Sequence, residues 1–212
     1  MKIIVFGDVH GNIDAFEAMV NATKDADLYI CLGDIVNYCP FSNECVDLLE
    51  DLPYAIRIKG NHEDAFISGS YNGKNEIAKA FFESAYQNFT RFSEIKEYVD
   101  SYENFGYEFV HTLNNEYIYA DSTIEFSRNY MIAHSHRQYV IKYKDNILYN
   151  PGSIGQNRVN IEKGEYLIFY PDKNKVELEY IDINIERVLN EMKIRNYPNI
   201  CIDYFNSKRK RN

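Results

Sequence analysis

The chain has no long apolar run. Stretches such as Leu28–Leu32 and Tyr166–Tyr170 fall far short of the roughly 20 residues that cross a bilayer, which excludes a transmembrane helix. It has no Cys-x-x-Cys pair either. Its four cysteines, Cys31, Cys39, Cys45 and Cys201, are scattered, and none stands beside a histidine or a basic residue. That argues against a thiolate metal site or an activated thiol and fits reduced thiols, with a Cys39–Cys45 disulfide as the alternative. Basic charge is scarce: 23 Lys and Arg face 32 Asp and Glu, for a formal net charge of -9. A chain this acidic gains no overall attraction to a nucleic-acid backbone, so extended nucleic acid is not expected as a partner. The one basic cluster, Lys208-Arg209-Lys210-Arg211, reads as part of a flexible tail over 205–212, with a polyanion contact as the alternative. Neither an internal repeat nor a linker-like stretch divides the 212 residues, so one domain over 1–212 is expected. The first apolar run, Ile3–Phe6, is too short for a signal-peptide core and no small-residue cleavage site follows it; a cytoplasmic protein without a membrane partner is expected.

The first half alternates strand and helix signals. Ile3–Phe6, Leu28–Leu32 and Ala55–Ile58 read as strands, with helices from about Ile13 to Lys24, capped by Asn12, and from about Asn43 to Glu50. This is a βαβαβ pattern, the signature of a parallel core in an α/β fold. A helical stretch follows from about Asn75 to Phe92, with Ile77, Phe81, Ala85 and Phe89 recurring every four residues. Core packing is its default reading, and a lid or partner surface the alternative. A shorter helix over Glu94–Tyr102 is expected next. The second half is strand-rich: Tyr107–Val110, Tyr130–Ala133, a hairpin around Lys144-Asp145, and another around Pro171–Asn174. A last helix is expected from Ile185 to about Arg195.

Histidine is also sparse, at five, and all five stand in short polar motifs. They are His10 in Asp8-Val9-His10, His62 in Gly60-Asn61-His62-Glu63, His111 after an apolar run, and His134 and His136 in His134-Ser135-His136. The recurring design is an apolar strand followed at once by a residue that binds metals. Five loops fit it, beginning at Asp8, Asp34, Asn61, His111 and His134. Open α/β sheets present ligand sites at the carboxyl ends of their strands, so these residues can converge. Glycine before Asp8, Asp34 and Asn61 would permit a sharp exit from each strand. Singly, each residue has a structural alternative: turn aspartates at 8 and 34, a left-handed Asn61, a surface His62, a core His111. Jointly, that account needs every histidine to stand at a strand end by chance.

In that order, these motifs resemble the signature of the calcineurin-like metallophosphoesterases. Gly33–Pro40 and Asn150–Gln156 resemble the small bacterial and archaeal branch of that superfamily. The resemblance runs from residue 3 to about 170. It implies a four-layer α/β/β/α sandwich of two mixed β-sheets flanked by helices. It also implies two divalent metals: one held by Asp8, His10 and His136, the other by Asn61, His111 and His134, with Asp34 bridging. His62 would contact the phosphate and help protonate the leaving oxygen, so His62, Asn61 and Asp34 carry the catalytic expectation.

The implied activity is hydrolysis of a phosphodiester or small nucleotide-like phosphoester by a hydroxide bridging the two metals; a phosphomonoesterase with the same site is the runner-up. Neutral His and Asn ligands leave the centre positive, which suits a phosphate anion. Mixed N and O donors without thiolate suit Mn, Fe, Co, Ni or Zn better than a thiolate-selective ion; manganese is the first expectation, with Fe, Zn, Ni or Co as alternatives. Three further residues are candidates for substrate contact. Tyr38 could stack on a nucleobase, Ser153 could bind a phosphate oxygen, and Arg158 could contact phosphate. Ordinary packing is the alternative for Tyr38, and a plain Pro-Gly turn for Ser153. The expected partner is a small phosphoester, and a homo-oligomer is left open. Some relatives of this fold serve protein interaction, so a catalytically weak scaffold is the rival reading; the intact ligand set weighs against it.

Overall fold

Short β-branched and aromatic runs set the strands. Ile3–Phe6 (β1), Leu28–Cys31 (β2) and Ala55–Arg57 (β3) pair in parallel, joined by helices Ile13–Ala22 (α1) and Ser42–Asp51 (α2). The computed structural model describes Met1–Arg209. The Asn12 side chain caps α1 by accepting the Ala15 N–H, as its position before the amphipathic run suggests. The hairpin of Lys163–Tyr170 (β9) and Lys175–Asp182 (β10) completes the first sheet, with β9 antiparallel to β1 and the order β10-β9-β1-β2-β3.

The second sheet has the order β4-β5-β6-β8-β7. Its strands are Ser101–Asn104 (β4), Tyr107–Val110 (β5), Asn129–Met131 (β6), Gln138–Tyr143 (β7) and Asn146–Pro151 (β8). The β5, β6 and β8 strands run parallel to one another, while β4 and β7 pair antiparallel at the edges. Both sheets are mixed, as the resemblance implies.

Three apolar clusters fill the layers. Between the sheets lie Ile3, Val5, Ile30 and Leu32 from one face and Phe109, Met131 and Ala133 from the other. The opposite face of the first sheet is covered by helices: Phe16 and Met19, Val46 and Leu49, Phe81, Met192 and Phe205 pack there against Ile4, Phe6 and Cys31. Fully burying side chains of this size is worth roughly 1.5–3 kcal/mol each. The outer face of the second sheet is closed differently. Ile118 and Phe126, from the irregular segment between β5 and β6, cover Ile132, Tyr139 and Leu148.

Several elements differ from expectation. A helix not anticipated, Asn61–Ser68 (α3), begins directly at the Asn61-His62 motif and stops at Gly69 in the left-handed region (φ 68°). The period-four stretch forms Glu76–Tyr86 (α4), shorter than expected, with Ala78, Phe81, Phe82 and Ala85 buried; it packs as core. Of the expected Glu94–Tyr102 helix only Phe92–Lys96 (α5) exists, because Phe105 and Gly106, both at positive φ, make a tight turn that pairs β4 with β5. Glu186–Ile194 (α6) and Asn199–Ser207 (α7) follow. The expected tail from 205 is corrected in its first part: Phe205 is fully buried, and Arg209 pairs with Glu162 and Glu186 at 2.9 and 2.8 Å. The rest of the expected basic tail, residues 210–212, lies outside the described residues. All four cysteines are free and buried, so Cys39 and Cys45 form no disulfide. Among the described residues no helix is long and apolar enough to cross a membrane.

Candidate metal centre

The parallel pairings point the carboxyl ends of β1, β2 and β3 in one sheet the same way, and likewise β5, β6 and β8 in the other. The loops leaving five of these ends carry all seven candidate ligands. To turn back over the strand ends, Asp8, His10, Asp34, His134 and His136 adopt left-handed backbone, with φ between 51° and 70°. Each such non-glycine residue costs on the order of 1–3 kcal/mol, so the surrounding contacts must hold it there. The expected use of glycine is thus corrected. Only Gly33 of the three preceding glycines has positive φ. Gly60 is needed for space, since a Cβ there would lie 2.2 Å from Asp34 Oδ1; Gly7 would press on Ala133 Cβ at 3.1 Å.

Two clusters result, sharing Asp34: Asp8, His10, Asp34 and His136 in one, and Asp34, His111 and His134 in the other. In the first, His10 Nε2 and His136 Nε2 are 3.1 Å apart, and Asp8 Oδ1 lies 3.8 and 3.5 Å from them. In the second, His111 Nε2 lies 3.1 Å from Asn61 Oδ1, 3.1 Å from His134 Nδ1 and 3.3 Å from Asp34 Oδ2. Asp34 Oδ2 is also 3.8 Å from His10 Nε2, so one carboxylate oxygen faces both clusters.

Proton placement suits cations. His10, His111 and His136 each donate Nδ1–H to a backbone carbonyl, of Val36, Leu32 and Gln156 respectively. That leaves the Nε2 lone pairs directed inward. Each aspartate is held by one oxygen and offers the other. Asp8 Oδ2 accepts the His134 N–H and Asp34 Oδ1 the His62 N–H, while Asp8 Oδ1 and Asp34 Oδ2 are buried without a hydrogen-bond partner. Two buried orphan carboxylate oxygens facing converging imidazole nitrogens fit divalent cations, and without them are costly. Burial holds His10 and His136 well below the ordinary imidazole range, and holds His134 down at about 4. His111 goes the other way. Burial lowers it, but the negative charge of Asp34, 3.3 Å away, outweighs that and raises it to about 10. Asp34 is correspondingly held low. Without cations this pair is an ion pair, and His111 must lose its proton for its Nε2 to ligate.

His62 stands just outside the clusters, with Nε2 3.9 Å from Asp34 Oδ2. Its tautomer is fixed by Asn37, a residue the sequence reading passed over. Asn37 Oδ1 accepts the Tyr38 N–H, so its Nδ2 is the atom facing His62 Nδ1, at 2.6 Å. Nδ1 therefore accepts and the proton sits on Nε2. Burial holds this ring below its usual range, hence neutral near pH 7, despite the opposing pull of Asp34.

Two more supports went unread. Glu63, buried in the first turn of α3, accepts four backbone N–H groups, from Asp34, Ile35, Val36 and Gly60, at 2.7–3.2 Å. It thereby ties the Asp34 loop to the Asn61 loop. Its adjacency to His62 in the motif was the available signal. Asn150 pins the histidine pair by donating to Ala133 O and Ser135 Oγ. We expect Glu63→Gln to place an amide N–H against backbone N–H donors. It should cost on the order of 2–4 kcal/mol, lowering Tm by about 5–15 °C and reducing bound metal. An unchanged melting curve and metal content would show that this clasp is dispensable.

Of the three candidate substrate contacts, two line a cleft of ≈ 540 Å³ that opens on Asn61 and His62. Tyr38 lies 4.7 Å from the His10 ring, centroid to centroid, and also packs on Phe81, the ordinary packing named as its alternative. Arg158 sits 5.5 Å over the Tyr117 ring. Ser153 is corrected: fully buried, its hydroxyl donates to Asp8 O and accepts from the Gln156 N–H, fixing one loop upon another. A larger cleft of ≈ 590 Å³ lies beside β3 and α5 and contains none of these groups.

A model of the calcineurin-like phosphoesterase family matches residues 1–197. The uncharacterized protein MJ0912 of Methanocaldococcus jannaschii is 28% identical over 222 residues, spanning 87% of this chain and 89% of its own. A metallophosphoesterase from Sphaerobacter thermophilus superposes with a TM-score of 0.82 at 22% identity, covering 98% of this chain and 99% of that one. The hypothetical protein PH1004 from Pyrococcus horikoshii OT3 gives 0.82 at 14% identity, with 96% and 97% covered.

Proposed function

Because the chain belongs to the calcineurin-like phosphoesterase family, we propose that it hydrolyses a phosphodiester or small nucleotide-like phosphoester with two divalent ions bound at the carboxyl ends of its parallel strands. Asp8, His10 and His136 would hold one ion, Asn61, His111 and His134 the other, and Asp34 both. The observation that carries this reading is Asp34 Oδ2, a buried carboxylate oxygen without a hydrogen-bond partner that faces imidazole nitrogens of both clusters. When bound, such ions supply positive charge for phosphoryl oxygens and acidify a water.

The chain's own groups do the rest. The Asn61–His62 turn borders the cleft, and His62 presents Nε2–H towards the Asp34 carboxylate that joins the clusters. From there it donates a hydrogen bond to a substrate oxygen. As the ester bond lengthens, negative charge grows on the departing alkoxide and the proton moves from Nε2 towards it. Asn37 keeps that proton on the outward nitrogen.

The direct test is metal analysis of the reconstituted protein together with turnover of a panel of mono- and diesters. The expected result is two ions per chain, with diesters hydrolysed faster than monoesters. Protein that binds no divalent metal, or binds it and turns over no ester, would sink the proposal.

A further inference from the structure

The cleft over the candidate centre is unlike the rest of the surface. In a chain of net charge -9, its lining contains no Asp or Glu, while Lys74 and Arg158 both contribute to it. Five of its lining residues are tyrosines. Two of them, Tyr117 and Tyr119, are only 10° from parallel, with ring centroids 6.3 Å apart. They remain 51% and 37% exposed, whereas Ile118 between them is 3% exposed.

The segment holds this arrangement in place. Ile118 is inserted into the apolar cluster on the outer face of the second sheet, and its carbonyl accepts the Tyr139 hydroxyl at 2.5 Å. The Glu116 carbonyl is held by Thr112 Oγ1 and the Tyr119 N–H by Ser122 Oγ. With the middle residue fixed inward, its neighbours are directed outward, as in any extended chain. Tyr117 lies 4.0 Å from the His134 ring, centroid to centroid, so the platform abuts the second cluster. Flat, rigid rings beside a phosphoester-binding centre stack bases at little entropic cost. Neither Lys74 nor Arg158 makes a salt bridge among the described residues, so both are available to attract an anion.

We propose that Tyr117 and Tyr119 form a base-stacking platform, making the substrate class a nucleotide ester, with Arg158 and Lys74 attracting its phosphate charge. This rests on the phosphoesterase reading above and narrows it.

The test compares two diesters with the same reacting group, adenosine 5′-(methyl phosphate) and its base-free ribose counterpart, on metal-loaded protein. A parallel measurement takes the dissociation constants of two phosphonate analogues, adenosyl and ribosyl, in which a P–C bond replaces the ester oxygen. We expect the adenosine compound to be favoured by about 5–100-fold in kcat/KM and in binding, the worth of one stacked base. Tyr119→Ala should cut both ratios at least about fivefold, and Tyr119→Phe should keep them. Tyr119 is chosen because Tyr117 also packs on His134. Ratios near one in the unaltered protein, or ratios indifferent to Tyr119→Ala, overturn the platform; turnover of the ribose ester in that case still upholds the phosphoesterase. If neither ester is hydrolysed, the ester panel above decides the phosphoesterase reading, and the binding ratio alone decides the platform.

Discussion

Asp34→Asn protein is expected to lose turnover by about 10³-fold or more and to bind much less metal, while remaining folded. The substitution keeps the shape and an Oδ1 that can still accept the His62 N–H, now 2.9 Å away. What changes is the other atom. Oδ2, the buried unpartnered oxygen that faces both clusters, becomes an amide nitrogen that cannot ligate a cation. If the ions contribute several kcal/mol of charge stabilisation, at about 1.4 kcal/mol per tenfold, the loss reaches that size. His111 should change with it, because the Asp34 charge is the main influence that raises its pKa to about 10. In Asp34→Asn, then, the His111 imidazole should titrate much lower, which NMR of the metal-free protein would detect. Full turnover, or unchanged metal content, would remove Asp34 from the centre of the mechanism.

His62→Ala is expected to behave in the opposite way, keeping the metal and losing mainly rate. Removing a proton donor from the departing oxygen typically costs about 10²–10⁴-fold. No candidate ligand atom belongs to His62, so metal content should stay near that of the unaltered protein. The loss should also depend on the leaving group. An ester with an acidic phenol needs little help from a proton, so His62→Ala should harm it far less than an alkyl ester. Equal losses on both, or metal lost in parallel with rate, would show that His62 supports the centre rather than serving the substrate.

The contrast between these two variants rests on residues of unequal legibility. The ordered motifs Asp8-Val9-His10, Gly33-Asp34, Gly60-Asn61-His62 and His134-Ser135-His136 were readable because each follows an apolar strand, and strand ends gather at one edge. Asn37 was not readable, since an asparagine beside a tyrosine is ordinary loop composition; its meaning lies in the orientation of its amide. Ser153 was misread for the same reason. A hydroxyl after Pro-Gly suggests an open turn, yet a Cβ on Gly155 would lie only 1.7 Å from Val9 O, so closely does that loop pack on the Asp8 loop. Helix α3 went unseen because a short helix starting at a functional motif has little apolar periodicity to betray it. The tyrosine pair was hidden by an uninformative stretch, Thr112–Arg128, whose only regularity is Ile118 held between two exposed rings.

The sequence by itself determined the parallel β1–β2–β3 core and the order of the metal-binding residue types, because both follow from local periodicity and from which residue comes next after a strand. Tertiary structure alone decided that the β9–β10 hairpin would close the first sheet, and that Asp34 would present one oxygen to both clusters. It also fixed the His62 proton on Nε2 and set a carboxylate-free aromatic cleft above the centre. These are relations between atoms separated by tens of residues along the chain. They arise only when burial of the two sheets and their helices brings the loops together and leaves their polar atoms to find partners.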